Sequence, residues 1–128
     1  MMAVLGKKKL GELGERIAGE HLVGLGHRIL ERNYRSGHLE IDLITSAPDG
    51  IHFVEVKSLM APVAEDPTAK VGYAKRNRVT AAALHYLNSD RLPAGSSLEA
   101  FFDIVSVVFD GDRTEVEYYP SAWVPIYT

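Results

Sequence analysis

Apolar positions near the start of the chain recur at helical spacing: Leu10, Leu13, Ile17, Ala18, Leu22 and Leu25 form one stripe. This predicts a helix over Leu10–Leu25, with Gly24 and Gly26 as terminators. Glu15 lies about two turns before Leu22, at the edge of the stripe. The period then changes. His27–Arg35 is read as a strand, and Leu39–Thr45 as a clearer one, with Leu39, Ile41 and Leu43 on one face and Glu40, Asp42 and Ile44 on the other. Pro48-Asp49-Gly50 is a turn signal. It makes a hairpin with a third strand, Ile51–Lys57, in which Phe53, Glu55 and Lys57 share a face opposite His52, Val54 and Val56.

Residues 58–72 mix Pro62, Pro67 and Gly72 with small and acidic residues and are expected to form a mobile loop. Tyr73–Asn88 reads as an alanine-rich helix with Val79, Ala82, Ala83, Tyr86 and Leu87 on its apolar side. Phe101–Phe109 reads as a buried strand, turned at Asp110-Gly111-Asp112 into a last strand, Thr114–Tyr119. The tail from Pro120, with Trp123, is expected to pack irregularly. The predicted class is α/β in the order α-β-β-β-α-β-β, a central sheet flanked by helices.

The 128 residues fit one domain, 1–128. With no cysteine, disulfide scaffolds and Cys-based zinc sites are excluded. Lys7, Lys8 and Lys9 precede no long apolar run, so neither a signal peptide nor a membrane span is expected, and the expected location is the cytoplasm. The net charge of −3 argues against a protein that coats nucleic acid nonspecifically. It is compatible with one that cuts it. Setting aside Glu15, Glu40, Asp42 and Glu55 leaves 13 acids against 14 bases, so any basic patch must be local.

Chemistry concentrates in two neighbouring strands, Glu40-Ile41-Asp42 and Glu55-Val56-Lys57. A hairpin brings Asp42 beside Glu55, and like charges facing each other destabilise a sheet unless something compensates. A hard divalent ion does so. Two carboxylates and the Val56 carbonyl would leave positions on Mg²⁺ or Mn²⁺ for water and a phosphate oxygen. Bound to metal, a water loses its proton more easily, and Lys57 can orient that water or stabilise developing charge. Lys75, Arg76 and Arg78 cluster where their charge opposes a helix dipole, and with Arg32 and Arg35 they are candidate phosphate contacts. A surface row explains them nearly as well.

The chain resembles the YraN family of bacterial proteins. The resemblance runs through Gly11-Glu12-Leu13-Gly14-Glu15, Arg32-Asn33-Tyr34-Arg35, Glu40-Ile41-Asp42-Leu43-Ile44, Phe53-Val54-Glu55-Val56-Lys57, Lys75, Ala82 to Leu87, and Phe102-Asp103-Ile104-Val105. It implies a restriction-endonuclease-like fold with the PD-(D/E)xK signature, and similarity to archaeal Holliday-junction resolvases. In those enzymes a first-helix glutamate, here Glu15, joins the metal site. Two departures stand out. Gly37-His38-Leu39 reshapes the turn before Glu40, and Ser58-Leu59 replaces a basic residue after Lys57.

The leading expectation is a Mg²⁺- or Mn²⁺-dependent nuclease acting on DNA in preference to RNA, on branched or damaged substrates. Asp42, Glu55, Val56 and Glu15 would hold metal, and Lys57 would position water. A homodimer is expected by analogy alone. The rival is a binding module of the same fold without turnover. A third reading is a protein-interaction adaptor using the tail around Trp123. Asp103, in an apolar strand, is expected to make a structural hydrogen bond or salt bridge. The histidines lack zinc-ligand spacing, and Gly11-x-x-Gly14 reads as a close helix contact.

Overall fold

A computed structural model describes residues 6–63, 72–96 and 99–125. The elements are α1 (Lys7–Gly24), β1 (Arg28–Ser36), β2 (Leu39–Ala47), β3 (Gly50–Met60), α2 (Tyr73–Leu87), β4 (Ala100–Asp110) and β5 (Arg113–Trp123). The five strands lie in sequence order in one sheet. Every neighbouring pair is antiparallel except β3–β4, which is parallel, with α2 in the crossover between them. The sheet is therefore mixed, and its α-β-β-β-α-β-β order is consistent with a restriction-endonuclease-like fold.

Each helix covers one side of the sheet. The α1 stripe packs Ala18 and Leu22, with Leu10, Leu13 and Ile17 at the margin, onto Leu43, Val54, Val105, Val107 and Phe109. On the other side Val79, Ala82, Ala83 and Tyr86 of α2 pack onto Ile41, Ile44, Phe53, Phe102 and Ile104. The alternation of β3 and β4 supplies both cores, because adjacent residues face opposite ways. Burying each of these large side chains contributes roughly 1.5–3 kcal/mol.

Two glycines place α1. At its end the His27 N–H donates to the Leu22 carbonyl at 2.9 Å and the Gly26 N–H to the Val23 carbonyl at 3.0 Å. That double closure requires a left-handed residue, and Gly26 provides it with φ +99°. Gly14 lets the helix backbone approach β3 so closely that a Cβ there would overlap the Ser58 hydroxyl. The contact expected of Gly11-x-x-Gly14 thus belongs to Gly14. Around Gly11 there is open space.

Several expectations need correction. Ser58, Leu59 and Met60 continue β3, because β4 pairs with them out to Met60↔Phe109. The loop expected from residue 58 therefore starts later, and its residues 64–71 lie outside the described part. The last strand also runs further than expected, to Trp123, whose indole is buried against Phe102 at 4.5 Å between ring centroids. Finally, Ile41 and Leu43 do not share a face: Ile41 packs under α2 and Leu43 under α1.

Candidate active site at the β2–β3 fork

The face change in β2 is matched in β1. The register pairs Arg32 with Leu43 and Tyr34 with Ile41, which sets Asn33 across from Asp42. Tyr34 packs under α2, whereas the Arg32 guanidinium lies against Gly19 of α1. Both strands therefore switch sides at one step. Asn33 takes a left-handed backbone there, φ 51°, a conformation asparagine tolerates better than most residues.

At the same level the sheet forks. The β2–β3 ladder runs from Ala47↔Gly50 to Leu43↔Val54. Beyond it, the Val56 N–H donates at 2.8 Å to Oδ2 of Asp42. A side-chain carboxylate has replaced a ladder carbonyl. Extending the register by one step sets Asp42 opposite Glu55.

Glu55 is 2% exposed. Lys75 of α2 reaches its Oε2 at 2.9 Å, while Oε1 is buried with no hydrogen-bond donor. Burial, then the Asp42 charge, pushes Glu55 up to about 7, against the pull of Lys75. Asp42 is also raised, first by burial, with the Val56 N–H and Lys75 acting in the opposite direction. Burial alone would lower the Lys75 pKa, but the charge and hydrogen bond of Glu55 outweigh it and the net shift is upward.

Asp42 is visible from both sides of the fork. On the α2 side it lines a cleft of about 260 Å³ with Glu55, Lys75, His38, Glu40 and Arg78. On the α1 side a cleft of about 270 Å³ joins it to Glu15, Asn33, Arg16 and Arg32. Glu15 is raised by burial first, then by the charges of Asp42 and Glu40, while a hydrogen bond from Asn33 lowers it. Glu15 and Glu55 thus approach Asp42 from opposite faces. Among the described residues no three His, Asp or Glu side chains form a ready-made ligand cluster. The donor set that does converge is Asp42 and Glu55, beside the Val56 backbone. A half-buried and a buried carboxylate, the latter with an oxygen lacking any donor, suit a hard divalent cation.

The basic residues separate by role. Lys75, expected on phosphate, is drawn into the carboxylate pair, and Arg78 lines the same cleft. Arg76 lies over the Trp123 ring at 5.8 Å, and Arg35 makes a long 3.9 Å ion pair with Glu40 on the surface. Arg32 lines the α1-side cleft. The sequence signal for Lys75 was its place in the first turn of a helix whose first turn holds no acid. A cation there needs an anion nearby, and Glu55 is that anion.

A second polar cluster sits near the opposite end of β3. His52 is 3% exposed. It donates through Nδ1 to Asp103 at 2.6 Å and through Nε2 to Asp49 at 2.7 Å. The Tyr118 hydroxyl and the Ser121 N–H donate to the same Asp103, as a structural role for that residue requires. Both ring nitrogens face carboxylate oxygens, an arrangement that the protonated ring satisfies in full. Burial lowers the His52 pKa, but these two hydrogen bonds carry the net shift upward.

The fold and fork define a five-stranded mixed α/β protein with a carboxylate pair, Asp42 and the buried Glu55, at the fork. The chain belongs to the uncharacterised protein family UPF0102, the YraN family, whose model matches residues 14–107. A UPF0102 protein from Trichlorobacter lovleyi is 35% identical over 120 residues, covering 92% of each chain. One from Syntrophus aciditrophicus is 38% identical, covering 93% of this chain and 91% of its own. One from Myxococcus xanthus is 34% identical, covering 91% and 90%. Among the described residues no helix is long and apolar enough to cross a membrane.

Proposed function

We propose that this protein is a Mg²⁺- or Mn²⁺-dependent nuclease that hydrolyses phosphodiester bonds in DNA at the β2–β3 fork. The observation that carries the reading is the buried, donor-free Oε1 of Glu55 beside the Asp42 carboxylate. Evolution-independent physics disfavours two carboxylates in such a place unless a proton or cation joins them.

Asp42, Glu55 and the Val56 carbonyl would hold the ion. When bound, it supplies charge neutralisation for the phosphate and a lowered pKa for a water. The remaining work falls to the chain. The Val56 N–H fixes the Asp42 carboxylate at the wall of the cleft. Lys57, two residues beyond Glu55 on the same strand, would orient a water for attack. Arg78 and His38 on the cleft wall bind the phosphate. Glu15, held by Asn33, supports the water shell from the α1 side.

A rival reading is a DNA-binding module without turnover, favoured by Lys75, which already offsets part of the carboxylate charge. A cleavage assay separates the two. Labelled single-stranded, duplex and four-way-junction DNA are incubated with wild type and Glu55→Gln, with and without Mn²⁺. The nuclease reading expects cation-dependent cutting that Glu55→Gln loses. Binding without cutting of any substrate favours the module.

A further inference from the structure

Lys75 is placed where a cation is needed, yet its side chain is 38% exposed and opens onto the α2-side cleft. It satisfies only Oε2 of Glu55 and leaves Oε1 bare. With both carboxylates ionised, one lysine leaves the trio at −1. A divalent ion in its place neutralises the pair by itself and makes the ammonium surplus. Two cations crowded on one carboxylate repel each other. A flexible four-carbon stem lets the lysine move within the cleft that Arg78 also lines, where a phosphate that enters competes for it with Glu40.

We propose that Lys75 is a placeholder cation: it holds Glu55 while the site is metal-free, yields to a divalent ion, and then engages the substrate phosphate. Resting on the nuclease reading, this couples cation arrival to substrate binding through one side chain. Lys75 thereby keeps the carboxylate pair intact without metal and adds a phosphate contact only once metal is present.

The test uses Ca²⁺ as the probe, titrated calorimetrically into wild type, Lys75→Gln and Lys75→Arg at alkaline pH, where protons no longer compete for Glu55. Affinity for a short fluorescent DNA duplex is then measured in Ca²⁺ over a salt series. The expected signature is two effects of opposite sign. Lys75→Gln binds Ca²⁺ about tenfold more tightly. It binds DNA more weakly, with a salt slope lower by about one. Lys75→Arg, which keeps the charge, restores the DNA affinity. A lysine with only a structural role would weaken both in Lys75→Gln, and an uninvolved one would change neither. Either result overturns the placeholder while leaving the cation site standing. Absence of Ca²⁺ binding in wild type at millimolar concentration overturns the nuclease reading and the placeholder with it.

Discussion

Asn33 and Asp42 face each other across the β1–β2 hairpin, and both strands change sides of the sheet at that step. The paired irregularity aims Asp42 into the fork and lets Asn33 hold Glu15 on the α1 side. Asn33 must keep φ at 51°, which a β-branched residue resists. Asn33→Val is expected to cost about 1–3 kcal/mol in a urea melt, and Asn33→Gly much less. Equal costs for the two would mean that the lost side chain, not the backbone, matters.

The carboxylate pair makes the fold sensitive to pH. Glu55 moves from 4.5 to about 7 on folding. Between these values the folded protein binds more protons than the unfolded chain. This contribution is therefore fully present below pH 4.5 and lost as pH rises through 7. Asp42→Asn keeps an acceptor for the Val56 N–H and removes one charge. It is expected to melt higher than wild type at alkaline pH, by on the order of 1–2 kcal/mol, with the gap closing in acid. A gap independent of pH would rule out carboxylate repulsion as its source.

His52 adds a second dependence of the same sign. Its pKa is raised in the fold, so its stabilisation is complete below the ordinary histidine value of 6.5 and fades as pH rises through the folded value. His52→Gln should flatten this part of the stability profile. Asp103→Ala strands the imidazolium, the Tyr118 hydroxyl and the Ser121 N–H together, and is expected to cost about 3–5 kcal/mol. Chemical denaturation of both variants across pH checks this. A His52→Gln profile as steep as wild type would place the dependence elsewhere.

The approach of α1 to β3 at Gly14 is a packing matter. Gly14→Ala forces its methyl onto the Ser58 hydroxyl and should destabilise by about 1–3 kcal/mol, despite the better helix propensity of alanine. Ser58→Gly in the same chain should return most of the loss. A double-mutant cycle without coupling would contradict the contact.

Much of this was legible in the sequence because it is local. The apolar stripe of α1, the alternation of β3 and the Pro48-Asp49-Gly50 turn mark the first helix and the β2–β3 hairpin, and that hairpin brings Asp42 to Glu55. The face change at Asn33 and Asp42 was not legible, since a strand read on a period of two carries its phase through any residue. Tertiary pairing also decided where Ser58–Met60 and Trp123 belong: each joins the sheet through β4, a partner far away in sequence. The ion pair of Lys75 with Glu55 was not legible for the same reason. Its approach to Glu55 depends on how the crossover returns α2 to the sheet.

The central claim is that Asp42 and Glu55 form a divalent-cation site, and calorimetric titration of Mn²⁺ at about pH 6.5, in two buffers of different ionisation enthalpy, tests it most directly. Glu55 is largely protonated there, so the account predicts binding by wild type with release of a proton, and loss of that binding in Asp42→Asn. No binding at millimolar Mn²⁺, or equal binding by Asp42→Asn, would contradict it.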